Sequence, residues 1–352
     1  MAGGFKKFKR PDEPRRGAIS DRDLDLLETI LNYRFCAASE LARLVGGNED
    51  VTFRRLRLLW EMRLISRFAF AGIHTHSQFY YYLDNPEALH LLFDRGRLKV
   101  VDPQMLEEVK GNQQRDYATA AHRHSEGQLL FLRHELMLSR LHFMLEQGAK
   151  SSSCQLEAWR QGAVLQGSKV EVPVIKSTRS GNTYLWQEHD VQTERLPVEP
   201  DALFTLRFPD RPAEQQLVHF CYEADRGTMN MTDMMKKLRS YYHFIKKQQK
   251  HKQAFGVHPI RAVLIETTDE DRALKLMELV HHPLVVGPDR RSALFWFTIT
   301  PQFTDPQEAS PLPRYLDEPE IVFEQIWVLP TRAKLRLGDM ENSPSPSTLP
   351  LP

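Results

Sequence analysis

Apolar residues recur at helical spacing in three short segments near the start of the chain. Ser20 and Asp21 can cap the first predicted helix, in which leucines and isoleucines follow at steps of three and four residues. The second predicted helix covers residues 39–45 and ends at a glycine pair, and the third runs from about Asn48 to Arg63. The start of the chain is therefore predicted to be a small helical domain.

Two strand-like runs, 64–70 and 78–83, follow the third helix, and residues 71–76 connect them. A further helix is predicted at 86–93 and would close the domain. Three helices followed by a hairpin of these lengths predict a winged helix-turn-helix over residues 19–93.

The pattern changes after the predicted winged domain. Residues 94–125 are polar and charged, which predicts a linker with some helix. A long amphipathic helix is predicted from about Glu126 to Glu146, and alternation with a period of two begins near residue 155. These features predict a second domain over residues 126–335.

The strongest strand signals in the second domain are residues 201–208 and 216–225. After them the chain predicts a helix, a strand, a second helix and a further strand, at 232–250, 262–265, 270–279 and 293–298. Weaker strand candidates lie at 155–160, 163–165, 170–175, 184–187 and 321–329, with a loop at 176–182. Strands that alternate with helices predict an α/β domain around a central sheet, so the chain as a whole is predicted to be a multidomain protein of the α+β or α/β class.

Composition supports two ordinary folded domains. The chain has 352 residues, of which 41% are hydrophobic and 26% are charged, as in globular proteins. The three cysteines show no metal-binding spacing, and no apolar run approaches the ~18 residues of a membrane span. We therefore expect a cytoplasmic protein without a signal peptide. The formal net charge of +1 gives no global reason to expect nucleic-acid binding, so local clusters of charge must supply one.

The two ends of the chain are predicted to be disordered. Residues 1–18 combine lysines and arginines with glycines and prolines, and form a basic arm that either follows a phosphate backbone or is a solvated tail. Residues 336–352 form a tail rich in serine and proline.

Arginines on the third helix are the candidate DNA contacts. Phe53 and the apolar residues that follow it share one face of this helix, and Arg54 and Arg57 share the opposite face. Guanidinium groups bond in pairs to guanine and to phosphate, and the third helix of a winged domain enters the major groove. Arg55 lies at the flank of this face, and Arg43 on the second helix could contact a phosphate. The alternatives are that these arginines form only a solvated helix face, or that the winged domain binds a protein.

Carboxylates cluster on the predicted strands of the second domain. Glu223 and Asp225 point to the same side of their strand, roughly 6.5 Å apart, because side chains alternate. Asp201 lies on the preceding strand, and Lys237 lies on the helix that follows. Such a cluster of charge on an apolar strand suggests a site.

The chain resembles the replication-relaxation family of plasmids and other bacterial mobile elements. The resemblance covers about residues 21–280 and rests on short motifs in a fixed order: Arg22-Asp23-Leu24, Tyr33-Arg34-Phe35, Arg54-Arg55-Leu56, Leu64-Ile65, Tyr81-Tyr82-Leu83, His134, Pro200-Asp201-Ala202, Glu223-Ala224-Asp225-Arg226-Gly227-Thr228 and Lys237-Leu238 with Tyr241. It implies a winged helix joined to an α/β domain, and a DNA-associated role in plasmid replication or DNA relaxation.

The second domain also resembles the PD-(D/E)xK nuclease superfamily. That resemblance implies that Asp201 and Glu223 hold Mg²⁺ and that a lysine assists the attacking water. The chain has Asp225 where the pattern requires this lysine, so Lys237 would have to replace it, and Glu135 could supply a further acid. The alternative is a nuclease-derived binding fold, in which Asp225 pairs with Arg226 and Lys237 neutralises a carboxylate without any metal.

Three functions remain open from the sequence. The first is a protein of a mobile element that binds double-stranded DNA through Arg54 and Arg57, acts in replication, relaxation or transfer, and works with replication or mobilisation proteins. The second is a Mg²⁺-dependent DNA endonuclease, whose active site would consist of Asp201, Glu223, Asp225 and Lys237. The third is an adaptor whose winged domain binds another protein.

Overall fold

A computed structural model describes residues 10–70, 79–115, 117, 126–180, 183–287, 292–307 and 310–339. The chain divides into two compact units, residues 1–143 and 144–352, and each has a mixture of helices and strands. The predicted connection at 71–76, the first nine residues of the predicted arm, and residues 340–352 of the predicted tail lie outside the described part.

The first unit contains six helices and three short strands among its described residues, the last helix crossing into the second unit. The helices are α1 Asp21–Tyr33, α2 Ala38–Val45, α3 Glu49–Glu61, α4 Pro86–Asp94, α5 Pro103–Arg115 and α6 Glu126–Ala149. The strands are β1 Phe35–Ala37, β2 Ser66–Phe68 and β3 Tyr80–Tyr82, which form an antiparallel sheet in the order β1-β3-β2.

Local side-chain contacts explain where the first three helices begin. The backbone N–H of Ser20 donates to Asp23 Oδ2 over 2.7 Å, and Asn48 Oδ1 accepts from the N–H of Val51 over 3.1 Å. Such contacts satisfy N–H groups that a helix start leaves without a partner. Glu40 makes an equivalent contact at the start of α2, where its carboxylate accepts a hydrogen bond from the N–H of Ala37 over 2.7 Å.

Two features of the first unit differ from the sequence prediction. The segment 33–37, between the first two predicted helices, contains strand β1. This strand is too short to show an alternating pattern and is stabilised by pairing with β3. Residues 10–18 were predicted to be disordered, but they contact the folded unit. Arg10 Nη2 donates to the carbonyl of Ile65 over 2.7 Å, and the N–H of Arg15 donates to the carbonyl of Glu61 over 3.1 Å.

The second unit is built on a seven-stranded sheet. Its strands are β4 Gln155–Gln161, β7 Ala202–Arg207, β8 Leu217–Ala224, β9 Ile260–Thr267, β10 Phe295–Ile299, β11 Trp327–Val328 and β12 Lys334–Leu335, in the order β12-β11-β10-β9-β8-β7-β4. Strands β8, β9 and β10 are parallel, as the predicted alternation of strands and helices requires. A separate hairpin consists of β5 Lys169–Ser180 and β6 Thr183–Pro197.

Helices α7 Met231–Tyr242 and α9 Glu270–Val280 connect the parallel strands. The shorter helices of the second unit are α8 His251–Phe255, α10 Pro283–Val286, α11 Pro301–Thr304 and α12 Arg314–Asp317. A large apolar cluster lies between the sheet and helices α7 and α9, and includes Leu203, Cys221, Val263, Leu238 and Leu276. Nowhere in the described ranges is a helix both long enough and apolar enough to cross a membrane.

Several predicted elements of the second unit are corrected by the structure. Residues 162–165 form a 3-10 turn instead of a strand, and the predicted loop at 176–182 is largely strand, because the hairpin continues through it. The predicted helix 232–250 ends at Tyr242 and continues as a π-helical turn, His243–Lys247. The strand candidates 170–175 and 184–187 do lie in the two strands of this hairpin, and the pairing of β5 with β6 extends both of them into the predicted loop.

Candidate functional site

The candidate carboxylates meet at one edge of the second unit's sheet. Asp201 directly precedes β7, and Glu223 lies near the end of the neighbouring antiparallel strand β8, where Ala202 is opposite Tyr222. Asp201 Oδ2 accepts a hydrogen bond from the N–H of Ala224 over 2.8 Å. The sheet register therefore brings together two acids that are separated by 22 residues in the chain.

Glu223 is the most deeply placed acid of this group, with a residue exposure of 5%. One of its oxygens accepts from Lys237 Nζ and the other from the hydroxyl of Tyr241, both on α7. Burial raises the pKa of Glu223 to about 8, and it does so against the opposing charge of Lys237.

Lys237 and Tyr241 complete this cluster from the helix. Burial by itself would lower the pKa of Lys237, but the charges of Glu223 and Asp201 raise it above its ordinary value. Burial raises the pKa of the Tyr241 hydroxyl well above its ordinary range, so this group donates a hydrogen bond and does not ionise. We call Asp201, Glu223, Lys237 and Tyr241 the acidic cluster.

Asp225 belongs to a second arrangement. Its oxygens accept from Arg272 Nε over 2.9 Å and from Arg272 Nη2 over 3.2 Å, which makes a paired contact with α9. Thr267 Oγ1 donates to Asp225 Oδ2 over 2.9 Å. Arg272 is thus a partner of Asp225 that the sequence interpretation did not consider; that interpretation left open a pair between Asp225 and Arg226. The effect of the contact with Arg272 is to join the ends of β8 and β9 to α9.

The donor atoms of these acids do not fit a Mg²⁺ site. Magnesium requires ionised oxygen ligands in octahedral geometry. Both oxygens of Glu223 already accept from α7, the raised pKa of Glu223 disfavours its ionised form, and Asp225 is paired with Arg272. A search of the described residues finds no group of three or more acidic, histidine or cysteine side chains arranged to hold a metal ion. In this arrangement the cluster ties α7 to the sheet.

The arginines of α3 divide into two kinds. Arg54 is exposed, and its Nε donates only weakly to the carbonyl of Asp50 at 3.3 Å. Arg57 is 52% exposed and pairs with Glu61 over 2.9 Å, one turn further along the helix. The Glu61 side chain is only 8% exposed and also pairs with Arg15, whereas about half of the Arg57 side chain remains accessible to a ligand.

Arg55 has a different environment from its two neighbours. Its Nε donates to Asp23 Oδ1 over 2.7 Å, its Nη2 contacts the other oxygen of Asp23, and the same Nη2 donates to the carbonyl of Ala18 over 3.1 Å. Asp23 is fully buried. Hydrogen bonds from Arg55 and Ser20 hold the pKa of Asp23 below its ordinary value, against the effect of burial. Arg55 therefore joins α3 to the start of α1.

Other predicted residues of the first unit also have defined environments. Arg43 is half-buried in the last turn of α2. Phe53 was predicted to lie on the buried face of α3, but it is 38% exposed because the fully buried Thr52 occupies the inward position in that turn. Glu135, the further acid of the nuclease interpretation, pairs with Arg34 over 2.8 Å.

A comparison with protein families adds an independent observation. The family model described as replication-relaxation matches residues 27–259 of the chain. The protein belongs to the replication-relaxation family. The resemblance seen in the sequence is confirmed, and membership indicates a role in replication or in mobile elements. No curated protein and no solved structure gave a significant match.

The match to the replication-relaxation family includes the acidic cluster but ends before Arg272.

Two residues of the described arrangement were missed from the sequence: Arg272 as the partner of Asp225, and Tyr241 as a donor to Glu223. Arg272 lies 47 residues from Asp225, and nothing in local spacing indicates their contact. Tyr241 does fall on the inward face of its predicted helix, and a hydroxyl on an apolar helix face requires a polar partner when buried. The position of Tyr241 on the inward face of its predicted helix was therefore the sequence signal that could have indicated a polar partner.

Proposed function

We propose that the protein binds double-stranded DNA through its first unit and acts as a DNA-reading factor in the replication or transfer of a mobile element. The observation that supports this proposal best is the division of α3 into two faces. Leu56 and Leu59 are fully buried, and Arg54 and Arg57 project from the exposed side. An exposed helix face with unburied guanidinium groups has the chemistry needed to contact bases and phosphates.

The arrangement around α3 supports the assignment of the first unit as a winged helix. Helices α1, α2 and α3 follow one another, β2 and β3 form the antiparallel pair after α3, and β1 adds a third strand beside β3. In helix-turn-helix proteins the equivalent of α3 lies in the major groove. This placement would direct Arg54 and Arg57 to the DNA, with Arg43 at the flank and Arg55 inside the unit as a structural contact.

For the second unit we propose a nuclease-derived fold that binds and does not cut. The acid after Pro200, the acid on the next strand and the helix with Lys237 follow the order that the resemblance to the PD-(D/E)xK superfamily implies. The charges in that place are compensated within the protein, by Lys237 for Glu223 and by Arg272 for Asp225. A compensated cluster stabilises the sheet edge and leaves no ionised set of ligands for a catalytic metal.

We expect Arg54→Ala and Arg57→Ala each to weaken DNA binding and to change its dependence on salt. Each lost phosphate contact lowers the slope of log affinity against log salt by about one. The measurement is a titration of a random-sequence duplex with the full chain at several salt concentrations. Arg95→Ala is the matched control, because Arg95 is an exposed arginine at the end of α4 and outside α3.

Arg55→Ala separates the structural role from the DNA role. It removes a charged pair with the buried Asp23, so we expect a loss of about 2 kcal/mol in the free energy of unfolding. In samples that contain only folded protein, the slope of log affinity against log salt should be the same for Arg55→Ala as for the wild type. Equal slopes for wild type, Arg54→Ala and Arg57→Ala would contradict the proposal, and would favour an adaptor that binds protein.

We expect no cleavage of supercoiled plasmid DNA by the wild-type protein in Mg²⁺ or Mn²⁺. The physical reason is that both carboxylate oxygens of Glu223 are engaged by Lys237 and Tyr241. Gel analysis of the plasmid tests this, with Glu223→Gln and Asp201→Asn prepared in parallel. Nicking or linearisation that disappears in both variants would show that the cluster rearranges to bind metal, and the endonuclease alternative would replace the binding fold.

A further inference from the structure

A strongly basic turn follows α7 in the second unit. Residues 246–252 read Lys-Lys-Gln-Gln-Lys-His-Lys, with four lysines and no acidic residue, in a chain whose net charge is only +1. All four lysines are exposed. We call Lys246, Lys247, Lys250 and Lys252 the basic turn.

The lysines of the basic turn have no carboxylate partner within the described ranges. Of the four ammonium groups, the contact observed is that of Lys247, whose Nζ lies 5.8 Å from the ring centre of Tyr242. Elsewhere in the same unit, lysines do form ion pairs: Lys236 pairs with Glu194 over 3.3 Å, and Lys237 pairs with Glu223. The basic turn therefore presents positive charge that the protein itself does not neutralise.

Other basic groups lie close to the basic turn and affect its charge. Burial and the charge of Arg261 lower the pKa of Lys246 below its ordinary value. His251 is buried within the turn, where burial lowers its pKa and the charges of His258, Lys252 and Lys246 lower it further. Like charges held this close repel one another, and a bound anion would relieve that repulsion.

The backbone holds the basic turn in one shape. A π-helical turn ends α7, Gln249 has a positive φ of 50°, and the N–H of Lys250 donates to the carbonyl of Phe244 over 3.0 Å. Gln248 Nε2 donates to the carbonyl of Glu171 on β5 over 2.8 Å. This contact fixes the turn to the long hairpin, so the lysines project from an ordered backbone and lose less freedom when they bind.

We propose that the basic turn is a second DNA-binding surface, which contacts the phosphate backbone of duplex DNA without reading its sequence. The proposal rests on the proposed function, since it assigns the second unit a part in the same DNA binding. Lysine ammonium groups bind phosphates as point charges, and glutamine amides such as those of Gln248 and Gln249 bond to phosphate and sugar oxygens.

The surroundings favour a nucleic acid over a membrane surface. A membrane-binding basic segment combines its lysines with large exposed apolar side chains. The large exposed apolar residues in the described part of the chain are Phe53, Phe93, Val100, Val164, Leu217, Met229 and Leu312. None of them belongs to the segment 243–260, where glutamines separate the lysines.

A charge-matched pair of variants tests the proposal in the full chain. The first replaces the four lysines of the basic turn with glutamine. The second replaces four dispersed exposed lysines of the same unit, Lys169, Lys176, Lys275 and Lys334, with glutamine. Both remove four positive charges, so they differ only in where the charge is lost. The probe is a 30-base-pair duplex of random sequence.

We expect the basic-turn variant to lower the slope of log affinity against log salt by about three to four, and the dispersed variant by less than about one. Equal slopes in the two variants would overturn the proposal. If Arg54→Ala and Arg57→Ala still weaken binding in that case, the proposed function survives and only the second surface is lost. If the wild type binds no duplex at all, both fail, and retention on anionic phosphatidylglycerol vesicles would assign the turn to a membrane instead.

Discussion

Replacing Arg272 with methionine is expected to lower the free energy of unfolding of the second unit by about 3–5 kcal/mol. Arg272 makes a paired contact with Asp225, and the two side chains are only 13% and 7% exposed. Methionine retains most of the volume but none of the charge, so the Asp225 carboxylate would remain largely buried without its cation. Leaving one buried charge uncompensated costs far more than an exposed ion pair contributes.

Urea denaturation, monitored by tryptophan fluorescence, measures the free energy of unfolding of the second unit. Of the five tryptophans in the chain, Trp159, Trp186, Trp296 and Trp327 belong to the second unit. Lys275→Met is the control, because Lys275 is exposed on the same helix α9 and its loss should change stability by less than about 0.5 kcal/mol.

A double variant gives a second check on the cause of the Arg272 effect. In Arg272→Met with Asp225→Asn, no uncompensated charge remains, so part of the lost stability should return. A loss below about 1 kcal/mol in the single variant would mean that the contact is not maintained in solution. No recovery in the double variant would attribute the loss to packing and not to charge.

The stability of the second unit is also expected to decrease as the pH rises, through Glu223. Its pKa in the folded protein is about 8, above the ordinary value of 4.5. Between about pH 4.5 and pH 8, the folded state therefore binds a proton that the unfolded state has already released. The stabilisation by this proton is complete below about pH 4.5 and is lost as the pH rises through 8. At 1.36 kcal/mol per pKa unit, the whole effect approaches about 5 kcal/mol.

The difference between wild type and Glu223→Gln isolates this contribution, because other titrating groups are common to both proteins. The free energy of unfolding, measured from pH 4.5 to pH 8.5, should fall more steeply for the wild type. Glu278→Gln is the matched control, since Glu278 is exposed on α9 and its replacement should leave the pH dependence unchanged. Parallel curves for wild type and Glu223→Gln would show that Glu223 titrates normally.

Much of the fold could be predicted because its signals are local. Helices α1 and α3 begin after residues that can cap them, Ser20 and Asn48, and the predicted strand 216–225 closely matches β8. Strand β1 was missed because its three residues are too few to show alternation, and it exists because β3 supplies its hydrogen bonds. In the hairpin β5–β6, the strand candidates 170–175 and 184–187 were recognised, but the extension of both strands by their mutual pairing was not.

The candidate site could be predicted only in part. Asp201, Glu223 and Lys237 were recognised as a group from the resemblance and from their residue types, and the sheet register does bring Asp201 beside Glu223. Arg54 and Arg55 are adjacent in sequence and identical in chemistry, yet one is exposed and the other is paired with a buried acid. Residue type and helical position did not distinguish them, because the acid comes from another helix.

The sequence by itself determined the order of helices and strands, the division into two regions, the family and the residues that can bear charge at its candidate sites. These depend on side-chain periodicity, on capping and on motifs of adjacent residues, all of which are local properties of a chain. Only the tertiary structure decided which charges are neutralised: Arg272 on Asp225, Lys237 and Tyr241 on Glu223, and Arg55 on Asp23. The strength of an ion pair depends on distance and burial, and folding sets both between residues far apart in the sequence.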